Sequence, residues 1–206
     1  MNLGIFKDFW DGHPNHLPFL SLVELTSDES QSFNLKLSFS KLEAILETNS
    51  EQKISEGIRL LLEQENWRAH LVASVSLLLI SQAKRDRLIN LYWERLSRGS
   101  WVSPQILTSL SRCDTSFNTK GEKILTEGFT INYASLSSID HHVLRGGVPT
   151  TVSEKKIIAA VNYLLNNIIN DNDDNYDNDS GGSIAKNWKE KLTELIKENR
   201  VKLAYF

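Results

Sequence analysis

Cysteine is almost missing from this chain. Cys113 stands alone among 206 residues, so no internal disulfide can form and the core has to hold the fold without one. That usage fits a reducing compartment, and the cytoplasm is the default expectation. Long apolar runs are missing as well: stretches such as Leu77-Leu78-Leu79-Ile80 fall far short of a membrane span. The segment from Met1 to Asp8 has no basic head before an apolar run, which argues against a signal peptide. What remains is a globular balance, with 40% hydrophobic against 24% charged residues and a length that suits one domain with a real core.

The motifs that usually carry chemistry are also lacking. No serine sits in a nucleophile-elbow context, and Gly146-Gly147 has neither a P-loop lysine nor Rossmann spacing. The Asp/Asn run at 170–179 offers oxygen ligands at Asp173, Asn175, Asp177 and Asp179, the right donors for Ca²⁺. An EF-hand loop begun at Asp173 needs Gly and Glu where Asn178 and Ile184 stand. Begun at Asp177 it gains Gly182 but meets Trp188 in place of the bidentate Glu. Both registers fail, and a solvated loop is the reading such composition supports. His141-His142 and His13-Pro14-Asn15-His16 lack metal-ligand spacing, and surface or structural roles are expected for them and for His70. Cys113 continues the apolar face of Ile106 and Leu110, as a buried thiol would. No metal and no cofactor is expected.

What is present is helical periodicity. Ile54, Ile58 and Leu62 precede Trp67, and Leu88, Tyr92 and Leu96 precede Trp101, each pair offset by 34 residues. A period near that length, built from two helices, marks stacked helical hairpins. Ser40-x-x-Glu43, Thr119-x-x-Glu122 and Thr151-x-x-Glu154 read as capping boxes, Ser50, Asn66 and Ser103 as caps, and Gly99 and Gly128 as terminators. Six helices are expected between residues 40 and 128, paired as three antiparallel hairpins. The run Leu71 to Ile80 is dense enough for burial on more than one side. In the helix at 84–98, Arg85 and Arg98 are expected outward. Ile131 to Ile139 suggests a further helix. Ile157, Ile158, Val161, Leu164, Leu165 and Ile168 share one face, and a last helix near 184–200 aligns Ile184, Trp188, Leu192, Leu195 and Ile196. Ahead of all these, Phe33, Leu35, Leu37 and Phe39 alternate with polar residues, so the arm at 1–38 reads as a short β-hairpin or as an extended segment. The fold class is therefore all-α in the main, a single domain of antiparallel hairpins stacked as a short α-α superhelix.

The hairpins at about 40–128 resemble the HEAT-repeat and related armadillo-type α-solenoid families. The resemblance rests on Trp67/Trp101, Leu62/Leu96, Ile58/Tyr92 and Ile54/Leu88. The unit is shorter than a usual HEAT repeat, and Ser135 stands where a third Trp would continue the period. The resemblance implies scaffolding or recognition along a concave surface, usually of another protein and sometimes of nucleic acid.

Charge is segregated along the chain. Residues 1–65 carry 5 Lys/Arg against 11 Asp/Glu, whereas residues 66–113 carry 7 against 2, from Arg68, Lys84, Arg85, Arg87, Arg95, Arg98 and Arg112. Either this basic block faces an acidic partner, or neighbouring helices neutralise it. The reading that follows is a non-enzymatic protein-protein interaction module of adaptor, inhibitor or immunity type. Its anchors are Arg68, Arg85, Arg95, Arg98 and Trp93, since aromatics and arginine dominate binding hot spots. Tyr92 and Trp93 would serve as anchors if exposed, and packing in the core is the preferred reading for both. A nucleic-acid binder using 66–113 is the second reading, and an enzyme assembled only in three dimensions around Asp140, His141 and His142 is the third.

Overall fold

The computed structural model describes residues 3–12, 14–23, 33–132, 144–145, 148–149, 153–169 and 180–198. The fold is all-α: among these residues the elements are helices and 3-10 turns, apart from a two-residue ladder pairing Leu144–Arg145 with Val148–Pro149. The chain divides into two compact units, Met1–Leu88 with Trp188–Phe206, and Ile89–Asn187.

The first unit begins with a 3-10 turn at Gly4–Phe6, a short helix α1 (Asp8–Asp11) and a second 3-10 turn at Leu17–Leu20. Helix α2 (Leu35–Thr48) follows. The alternation at 33–39 is therefore not a strand. Asn34 caps α2 by accepting from the Leu37 N–H, and Leu35, Phe39, Leu42 and Leu46 then bury one helical stripe. Leu37, the residue that completed the alternation, stands 39% exposed. Ser40, expected as a cap, is an exposed residue inside this helix.

Helices α3 (Glu51–Glu63) and α4 (Trp67–Leu79) start at the expected caps, Ser50 and Asn66, whose side chains accept from Lys53 and Arg68 N–H. They pack on each other, and α4 also packs on α2 and on the Leu17–Leu20 turn. Every residue of α4 from Ala69 to Leu78 is buried, so this helix has no solvent face. The Gly4–Phe6 turn seats on α3 at Gly57, where an added Cβ would lie 2.9 Å from the Phe6 ring. Trp188 is buried in the same unit and donates its indole N–H to the Phe19 carbonyl at 2.9 Å.

Helix α5 (Gln82–Ser97) carries the boundary between the units. It ends at Gly99, at φ +83, as a left-handed terminator requires. In the second unit, α6 (Ser103–Cys113), α7 (Phe117–Glu127) and α8 (Glu154–Asn166) pack together, with α8 against both of the others. Ser103 is the first helical residue rather than the cap. Thr119 lies within α7, and Gly128, at φ +86, closes that helix. The cap of α8 is Ser153; Thr151 lies outside the described residues. Glu154 instead accepts from the Ile131 N–H. Asn167 ends α8 in the left-handed conformation, which leaves Ile168 beyond the helix and exposed. Helix α9 (Gly181–Lys197) buries Ala185, Trp188, Leu192 and Leu195.

Three of the four position pairs matched at an offset of 34 are buried in both copies, Ile54, Ile58 and Leu62 on α3 and Leu88, Tyr92 and Leu96 on α5, whereas Trp67 and Trp101 are half-buried, the first opening α4 and the second lying ahead of α6. Helix ends keep the same offset, Glu63 with Ser97 and Leu79 with Cys113. Tyr92 is fully buried, and burial, with Cys113 beside it, pushes its phenol well above the ordinary value. It belongs to the core. Cys113 is a buried thiol outside any disulfide, as expected. The helix expected at 131–139, the histidine pair 141–142, Gly146-Gly147 and the Asp/Asn run at 170–179 lie outside the described residues, apart from Ile131 and Asn132.

Candidate functional site

The five residues expected to bind part company in the structure. Arg85 is not outward: it is 1% exposed, its Nε donates to the Leu77 carbonyl at 3.1 Å and its Nη2 to the Leu78 carbonyl at 2.8 Å. Those carbonyls belong to the last turn of α4, which has no intrahelical donors for them. Arg85 is a helix cap. Arg95, 3% exposed, does the same for its own helix, donating from Nη2 to the carbonyls of Arg98 and Gly99. Neither is free to anchor a partner, and both corrections have one cause: a buried helix end attracts the nearest long donor.

Trp93 is half-buried and already engaged. Its indole N–H donates to Asp114 Oδ2 at 2.8 Å, its ring lies 6.0 Å from that of Phe117, and Lys120 Nζ sits 5.2 Å above it. Asp114 also accepts from the Ser116 N–H and hydroxyl, and from Lys120 at 2.9 Å. Burial alone would raise the Asp114 carboxyl, but the donors Ser116, Lys120 and Trp93 outweigh it and hold the group below its usual range. The cluster fastens the α6–α7 link. Arg98 is half-buried, and its carbonyl accepts from Arg95.

Arg68 is different. It is the second residue of α4, half-buried, with its guanidinium 4.8 Å over the Trp67 ring. Among the described residues nothing accepts a hydrogen bond from it and no carboxylate pairs with it. The first turn of α4 has no acidic residue, so the positive end of the helix and the guanidinium stand together without a counter-charge among the described residues.

Beside them lies His16, which is 7% exposed. Its ring stacks on Trp10 at 5.1 Å and 20°, and meets Trp67 edge-on at 6.4 Å and 77°. Nδ1 lies 3.3 Å from the Phe9 carbonyl, which places the proton on Nδ1 and leaves Nε2 as a buried acceptor without a partner among the described residues. Burial above all, helped by the Arg68 charge and opposed by the Phe9 bond, lowers its pKa to about 4. The neutral ring is therefore the form present at pH 7.

The loop holding His16 is fastened to α2. Lys41 Nζ donates to the Asp8 and Pro14 carbonyls, and the Ser38 hydroxyl donates to the Asn15 carbonyl at 2.7 Å. Asn15 Oδ1 accepts from the Leu17 N–H and so starts the following 3-10 turn. Trp67 is fixed as the first residue of α4 by the Asn66 cap. Sequence reading found Arg68 but missed Trp10, His16 and Trp67 as its company, because 51 residues separate the two halves. The one available signal was a Trp-Arg pair directly after a good cap.

His70 is buried and hydrogen-bonds the Gln64 carbonyl at 2.7 Å, a structural role. No cluster of three or more His, Cys, Asp or Glu among the described residues is arranged to hold a metal ion. No helix among them is long and apolar enough to cross a membrane. The chain matches no protein-family model, no curated protein and no solved structure.

Proposed function

We propose that this chain is a non-enzymatic protein-binding module on a HEAT-like helical scaffold, acting in the cytoplasm as an adaptor, inhibitor or immunity-type protein. One observation carries the reading: an arginine laid on a tryptophan, its donors unengaged among the described residues, at the N-terminus of a buried helix whose first turn has no acid. A stacked guanidinium is pre-ordered, so a partner that takes its hydrogen bonds freezes little additional side-chain motion. The buried apolar positions and helix ends offset by 34 residues support the repeat scaffold. The single buried thiol suits a reducing compartment.

The basic block supports a nucleic-acid face less well. Arg85 and Arg95 donate to main-chain carbonyls, and Arg87 pairs with Glu51 at 2.6 Å. The experiment is capture of partners by the full tagged chain, with and without nuclease, beside Arg68→Glu. A negative residue suits the first turn of a helix, so this variant is expected to fold. A stoichiometric protein that survives nuclease and is lost from Arg68→Glu supports the reading. Partners lost on nuclease treatment move the function to nucleic acid. Capture unchanged in Arg68→Glu removes this site from it.

A further inference from the structure

We propose that Arg68, Trp67, Trp10 and His16 form a docking site for an acidic peptide segment of a partner protein, with a carboxylate on the Arg68 guanidinium and the peptide against the indoles. The proposal names the partner chemistry for the protein-binding reading and rests on that reading for the source of the carboxylate.

Three independent features favour a carboxylate. The guanidinium presents a planar fork of donors, which a carboxylate fits with two parallel bonds, and Trp67 already holds that plane. Among the described residues the charge is unbalanced: Arg68 adds to the positive end of α4, whose first turn contains no acid. Asp8 and Lys41 are the other charged side chains on the α1 and α2 residues fastened here, and Lys41 Nζ donates to main-chain carbonyls. Finally, the Trp10 indole N–H has no acceptor among the described residues, and beneath the indoles His16 Nε2 is a buried acceptor with no partner. A buried polar atom without a partner is uncommon enough to ask for a ligand. A peptide supplies acceptors for Arg68 and Trp10, and main-chain N–H donors for an acceptor such as Nε2. A phosphodiester supplies acceptors alone, and nothing for Nε2.

The test uses the full chain, isotopically labelled, with tryptophan indole and histidine ring signals followed by NMR. The probe is an N-acetylated, C-amidated Ala-Glu-Ala-Glu-Ala peptide; its counterpart has Gln at both Glu positions. Expected are saturable shifts at the Trp10 and Trp67 indoles, binding of the Gln peptide weaker by about tenfold or more, and a similar loss in Arg68→Lys, which keeps the charge but not the fork. Equal response to the Gln peptide, or no saturable shift at these indoles, overturns the proposal. A stronger response to inorganic phosphate or to a short oligothymidylate overturns it in favour of a phosphate ligand. A peptide result of this kind beside a partner captured through other residues ends this proposal and leaves the interaction module standing; a carboxylate response without any captured protein does the reverse.

Discussion

The Arg85 guanidinium closes helix α4 by donating to the carbonyls of Leu77 and Leu78, at 3.1 and 2.8 Å. Because α4 is buried on every side, water has no ready route to those carbonyls, and a side chain must take its place. Arg85→Ala deletes the donors and leaves the acceptors stranded. The expected loss is about 3 kcal/mol of unfolding free energy, the upper range for hydrogen bonds from a charged donor plus an unsatisfied buried group. Arg85→Lys restores one bond and recovers part of it. Urea denaturation of the three proteins measures this, and an Arg85→Ala midpoint equal to the parent refutes the capping role.

Asp114 gathers Trp93, Ser116 and Lys120 at the α6–α7 link. Asp114→Asn keeps the shape but replaces one acceptor oxygen by a donor, which faces Trp93 and Lys120 or Ser116 whichever way the amide turns. A loss of about 2 kcal/mol at neutral pH is expected. The carboxyl is held below its usual range, so its contribution is fully present above about pH 3.9, the unfolded value. It fades as pH falls through the folded value. The gap between parent and variant stability therefore narrows toward strong acid; a gap constant with pH contradicts the ionised role.

Much of the helical plan was legible because its signals are local. Ser50 and Asn66 cap where a short polar side chain meets an apolar period, and Gly99 and Gly128 terminate because their φ is positive. The arm misled for an equally local reason. Leu35 and Phe39 are four apart and fit a helix face as well as a strand face, and only Leu37 tipped the pattern toward a strand. Asn34, as good a cap as Ser40 and six residues earlier, is the sign that α2 starts within the arm. The site was less legible. Arg85 and Arg95 look like surface cations until their acceptors, main-chain carbonyls at helix ends, are known to be buried. An arginine in the last turn of a helix was a usable signal for Arg95. Nothing in sequence brings His16 to Trp67, since only packing of the arm does so.

His16 sets a second pH dependence, of the same direction but in a different window. Its pKa is about 4 in the folded chain against about 6.5 for a free imidazole. Between those values the unfolded state binds the extra proton and the folded state does not, so stability falls as pH drops from about 6.5 toward 4. The full effect is no more than about 3 kcal/mol. His16→Asn keeps a donor for the Phe9 carbonyl but does not titrate, so its stability is expected to be flat across that window. Chemical denaturation at closely spaced pH values decides it: parallel curves for parent and variant reject the assignment.

Two glycines in the second unit separate backbone from side-chain crowding. At Gly181, the first residue of α9, an added Cβ falls inside van der Waals contact with the Lys156 carbonyl oxygen. That atom is main chain of α8, hydrogen-bonded into a helix, and it cannot turn aside. At Gly121 in α7 the nearest obstacle is Leu165 Cδ1 at 2.8 Å, the far end of a flexible and half-buried side chain. Alanine also gains about 1 kcal/mol over glycine inside a helix. Gly181→Ala is therefore expected to cost about 3 kcal/mol, as overpacking against a fixed backbone does. Gly121→Ala should stay within about 1 kcal/mol of the parent, since helix propensity offsets a small rotation of Leu165. Thermal unfolding of both variants tests the contrast. Equal losses would mean that Leu165 is as immovable as the Lys156 backbone, and a harmless Gly181→Ala would mean that α9 does not start against α8.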